Sequence, residues 1–152
     1  MLGNMAPPLL RFWPCWNPPI DERLLGSHKT VGGFIAGVAA AVMATGLQAH
    51  LMPASLALVD YRRWVPVGLA LGLGAMTGDC VKSAIKRWRR KPPGSRWMPF
   101  DQLDFIIGAL VFVAPLAAFQ WPEVIGVLVF TFVADTAVNR FAFRLGIKDA
   151  PW

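Results

Sequence analysis

Four apolar runs in a chain of 152 residues leave little choice of architecture. Residues 30–51, 64–82, 103–120 and 123–144 each approach the length a membrane helix needs. About 20 residues at 1.5 Å rise cross a hydrocarbon core of roughly 30 Å. Hydrocarbon offers a backbone no hydrogen-bond partners, so each run must satisfy its own N–H and C=O groups as a helix. Composition agrees: 55% hydrophobic and 16% charged residues, against roughly 45–50% and 25% in soluble proteins. The expected fold is all-α, a polytopic transmembrane helix bundle forming one integral membrane domain over residues 1–152. Within the runs, Gly33 and Gly37, Gly68 and Gly72, and Gly74 and Gly78 are spaced four apart, which lets helices approach closely. Trp64 stands at an interface, Pro115 should kink the third span, and Trp121-Pro122 should turn the chain at the far side.

Residues 1–28 are a proline-rich lead-in with five prolines in the first 20 positions, and they make no signal peptide. Residues 1–20 read as the remnant of a lost upstream span, a possible fifth. Ser27 is placed to cap the first helix. Such a cap is either ordinary or leaves free N–H groups and the positive dipole end facing an anion. Cys15 and Cys80 lack metal-ligand spacing and point to no disulfide.

Charge is distributed unevenly. Residues 78–104, GDCVKSAIKRWRRKPPGSRWMPFDQLD, carry three of the nine carboxylates and seven of the fifteen Lys and Arg residues. Residues 83–102 are expected to form a basic loop. With four alternating spans, thirteen of the fifteen basic residues fall on one side, leaving Arg62 and Arg63 opposite. The positive-inside rule makes the rich side cytoplasmic. Net charge of +6 in this setting points to anionic headgroups and not to nucleic acid.

Asp79, Lys82 and Lys86, at i, i+3 and i+7, share a helical face. A carboxylate taking Mg²⁺ beside amines taking phosphate would explain them, as would an internal ion pair ending a helix. Asp101 and Asp104 sit at i and i+3 where the third span begins. They either complement the helix dipole or join Asp79 around one or two divalent ions, Mg²⁺ or Mn²⁺ by oxygen-ligand chemistry. In the run Lys86, Arg87, Arg89, Arg90, Lys91 and Arg96, the first two are the candidates for specific phosphate ligands and the others a headgroup face. Asp135 and Asn139 either complete the polar site or hydrogen-bond within the bundle. Phosphate-cradling glycine loops and nucleophile motifs are missing, and direct displacement at phosphorus requires neither.

The run GDCVKSAIKRWRRKPPG followed by PFDQLDFIIGAL resembles the signature region of the CDP-archaeol synthase family, distant relatives of the CDP-diacylglycerol synthases. Lys29-Thr30-Val31-Gly32-Gly33 is similar to that family's K-T-x-x-G element, and GIKDAPW to its ending, so the resemblance covers about residues 20–152. It implies a CTP-dependent cytidylyltransferase of phospholipid biosynthesis, with CTP and a lipid phosphate as substrates and membrane lipids around it. It further implies that Asp79, Asp101 and Asp104 hold magnesium, and that Lys29, Lys82 and Lys86 bind triphosphate or lipid phosphate. The family has five spans where this chain shows four and a remnant. The competing reading is a non-catalytic membrane protein whose basic loop docks anionic lipid or a partner. Oligomeric state is left open.

Overall fold

A computed structural model describes residues 17–26, 29–52, 58–91, 95 and 97–144. The first helix, α1 (Val31–Leu51), begins where Thr30 turns extended and its hydroxyl accepts from Gly33 N at 3.1 Å. Ser27, the expected cap, lies outside the described residues. The free N–H groups expected there are instead used by the chain itself: Val31 N donates to Pro18 O and Gly32 N to the Asn17 side chain. Asp60 accepts from Arg62 N to open a 3₁₀ turn, Tyr61–Arg63, that leads into α2 (Trp64–Trp88).

The α2 helix runs six residues past the expected end at 82, so the first part of the supposed basic loop is helical. Lys82, Lys86 and Arg87 therefore ride on a rigid element. What stops α2 is a Schellman motif: Lys91 N donates to Lys86 O at 2.9 Å and Arg90 N to Arg87 O at 2.8 Å, with Arg90 at φ +53.

Next come α3 (Phe100–Val113), a 3₁₀ turn at Ala114–Leu116, and α4 (Trp121–Arg144). Three stretches are long and apolar enough to cross a membrane: α1, Tyr61–Trp88 and α4. At 14 residues, α3 reaches about 21 Å, short of the hydrocarbon thickness. Among the described residues, three of the four expected spans are thus long and apolar enough to cross by themselves, and the other, α3, is shorter than expected. Pro115 is the reason, because it falls in the 3₁₀ turn that ends α3 where a kink was expected. Trp121-Pro122 opens α4, where a missing N–H costs nothing, and is no separate turn. Residues 1–16, most of the supposed remnant, lie outside the described residues; 17–20 pair with the chain at the start of α1, and 21–26 are a hydrogen-bonded turn and not a helix.

Glycine decides how the helices meet. A Cβ on Gly68 or Gly72 would lie 2.9 Å from Val42 or Val38 Cα of α1. One on Gly74 or Gly78 would lie 2.3 Å from Gly108 O or Asp104 O of α3. The two glycine pairs of α2 thus serve opposite neighbours, and α2 is the central helix. Val67, Met76, Phe105, Ala109 and Val113 form the small buried core. By contrast, α4 packs on α3 and turns Phe130, Val133 and Phe141 outward, as lipid-facing residues must.

Candidate active site

The close α2–α3 crossing at Gly78 and Asp104 brings charged residues of the two helices together. Asp79 is one residue beyond Gly78 and is 4% exposed; Asp104 is 9% exposed. Between them Lys82 extends its ammonium, 3.2 Å from Asp79 Oδ1, 2.7 Å from Asp104 Oδ2 and 3.6 Å from Asp101 Oδ1. One turn along α2, Lys86 Nζ lies 2.5 Å from Asp101 Oδ1 and donates to Ser95 O. From the other side Lys29, just before α1, pairs with Asp79 Oδ2. Three ammonium groups and three carboxylates from three parts of the chain meet at one end of the bundle. Formally the cluster is neutral, which is what a buried set of ions requires.

Each member is held by local structure. Asp101 sits in the first turn of α3, where the dipole favours an acid, and accepts from Trp97 N at 2.6 Å. Ser83 is buried and donates back to Asp79 O. Of the seven charged residues expected in the site, Lys29, Asp79, Lys82, Lys86, Asp101 and Asp104 converge. Arg87 is engaged elsewhere: its guanidinium donates to Lys91 O and covers Gly26. Arg89 and Lys91, expected on the headgroup face, lie over the Trp97 ring at 5.4 Å. Asp135 and Asn139 hydrogen-bond to one another along α4 at 2.8 Å.

Sequence reading missed Gln102 and Asn17. Gln102 is 3% exposed with its Oε1 unpartnered; its place between two acids in DQLD was the available signal. Asn17 stands in the proline-rich lead-in, where nothing marked it.

The donor set fits a divalent ion by chemistry. Asp104 Oδ1 is buried without a hydrogen-bond partner, and hard carboxylate oxygens suit Mg²⁺ or Mn²⁺. In this arrangement the carboxylates close on Lys82 instead, and among the described residues no three acidic, His or Cys side chains are gathered so as to hold an ion.

The CarS-like family model, CDP-archaeol synthase, matches residues 20–152. The chain belongs to the CDP-archaeol synthase family. Among its relatives is the CDP-archaeol synthase of Thermococcus gammatolerans, 35% identical over 131 residues, covering 86% of this chain and 75% of that one. The enzyme of Pyrococcus abyssi is 36% identical over 152 residues, 100% of this chain and 87% of its own. A solved structure described as an intramembrane enzyme for archaeal membrane lipids biosynthesis superimposes with a TM-score of 0.72. It is 27% identical and covers 91% of this chain and 89% of that one. As a member of the CDP-archaeol synthase family, the chain is an integral membrane enzyme, a CDP-lipid-forming and CTP-dependent cytidylyltransferase. The reading as a non-catalytic lipid-docking protein gives way to this membership.

Proposed function

We propose that the cluster around Lys82 is where CTP and an archaeol-type lipid phosphate react, on the cytoplasmic face, to give a CDP-lipid and pyrophosphate. A lipid-phosphate oxygen forms the new bond to the α-phosphorus of CTP. The bond from that phosphorus to the bridging oxygen breaks, and pyrophosphate leaves with the electron pair. No protein nucleophile is needed, so the chain's work is positioning and neutralisation of charge. Lys29, Lys82 and Lys86 bind phosphate oxygens, with Arg87 at the edge of the site. Asp79, Asp101 and Asp104 would hold Mg²⁺ or Mn²⁺ once the lysines pair with phosphate. The bound ion supplies Lewis-acid stabilisation of charge on the phosphates.

The observation that supports this most is the balance of three lysines against three aspartates at one end of the bundle. A divalent ion alone would add positive charge beside the lysines, and a triphosphate alone would add negative charge beside the aspartates. Together they satisfy both halves. The test is labelled CTP with Mg²⁺ and a panel of lipid phosphates, ether- and ester-linked, on purified protein in detergent. Labelled CDP-lipid should form, fastest with the isoprenoid ether lipid. If no lipid phosphate accepts label, the reading is wrong.

A further inference from the structure

Lys29 precedes α1, and a lysine at such a position ordinarily has the freedom of a loop. Here its own backbone and that of the residues after it are fixed. Residues 17–20 run antiparallel to 29–32: Pro18 O accepts from Val31 N at 3.1 Å, and Ile20 N donates to Lys29 O at 2.8 Å. Asn17 closes the arrangement, its Oδ1 accepting from Gly32 N at 2.9 Å. A Cβ on Gly32 would lie 2.8 Å from that same oxygen, so Asn17 sits directly against the helix start. The intervening turn is self-supporting: Asp21 Oδ1 accepts from Arg23 N and Leu24 N, both at 2.9 Å. At its end Gly26 has φ +85, a conformation that side chains disfavour, and lies beneath the Arg87 guanidinium.

We propose that Asn17 is a positioning residue: it holds the strap of residues 17–20 in register along 29–32 and so sets the Lys29 ammonium against Asp79. The inference rests on the reading of Lys29 as a phosphate ligand. Asn17 bonds Gly32 N and no member of the carboxylate cluster, so its effect passes through the strap. Losing its bond leaves Gly32 N, an N-terminal helix donor, without its cap. The strap then has one fewer tie, and Lys29 is presented over a wider range of positions.

The test is steady-state kinetics on the full chain in detergent, with Asn17→Ala, Asn17→Asp, Gly32→Ala, Lys29→Gln and the double variant Asn17→Ala/Lys29→Gln. Asn17→Ala should raise KM for CTP about five- to tenfold, the size of one lost capping bond, with a much smaller change in kcat. Asn17→Asp keeps the acceptor and should bring KM back to within about twofold of the parent. Gly32→Ala, whose methyl would press on the Asn17 amide and push the strap away while leaving Asn17 itself in the chain, should reproduce the Asn17→Ala effect. The double variant should be no worse than Lys29→Gln alone, because both changes act through one ammonium. Parental kinetics for Asn17→Ala beside a defective Lys29→Gln overturn this inference alone. So do additive losses in the double variant, or an Asn17→Asp as defective as Asn17→Ala. Parental kinetics for Lys29→Gln overturn both the inference and the phosphate-ligand reading.

Discussion

Lys82 is the residue on which the site turns. Its ammonium is shared by three carboxylates, two of them buried, so each substitution there asks a different question. Lys82→Met leaves the aspartates under-compensated, and loss of one partner from a buried ion set costs about 3–5 kcal/mol. A melt in detergent should therefore show a large drop in Tm. Mg²⁺ should then recover more stability in Lys82→Met than in the parent, because the ion meets carboxylates with no ammonium among them. Equal Mg²⁺ responses in the two proteins would remove the aspartates from the metal assignment. Asp79→Asn and Asp101→Asn should each lower CDP-lipid formation at least about a hundredfold while the protein still accumulates, as losing a preorganised charge group typically does. The labelled-CTP assay reads this, and full activity in both variants would contradict the role given to them.

At the scale of elements, the α2–α3 crossing positions the chemistry, and glycine permits the crossing. Gly78→Ala would drive a methyl into Asp104 O at 2.3 Å, against backbone that cannot swing aside. It should lower both Tm and activity, since the same shift separates Asp104 from Lys82. Gly126 of α4 is the control, because a Cβ there meets nothing within 4 Å. Gly126→Ala should leave activity intact and stability equal or slightly higher, by up to about 1 kcal/mol from helix propensity. A Gly78→Ala protein as stable and active as Gly126→Ala would show that the crossing does not control the site. The end of α2 offers a gain: Arg90 holds the left-handed position of a Schellman motif at φ +53. Arg90→Gly should raise Tm, by roughly 1 kcal/mol of relieved backbone cost.

For the whole molecule the question is which way the bundle faces. The ionic cluster gathers where α1 and α3 begin and α2 ends, while Asp60, Arg62 and Trp64 mark the opposite end. In a cysteine-free background, Lys91→Cys should react with a membrane-impermeant maleimide only when the cytoplasmic face is open. Arg62→Cys should react from outside. Labelling of both from one side would contradict the alternation of spans, and the reverse pattern would overturn the cytoplasmic orientation.

Periodicity and charge in the sequence determined that this chain crosses a membrane as helices, since hydrocarbon leaves an apolar run of 20 residues few alternatives. They also picked out Asp79, Lys82, Lys86, Asp101 and Asp104, because ionisable groups at membrane borders are costly without a purpose. Local spacing could not say that Gly68 and Gly72 face α1 while Gly74 and Gly78 face α3, as both pairs look alike along one helix. Nor could it give Asn17 a function or bring Lys29 to a partner 50 residues away, because such contacts exist only once the helices have packed. The sequence named the charges; only the tertiary structure made Lys82 the point where they meet.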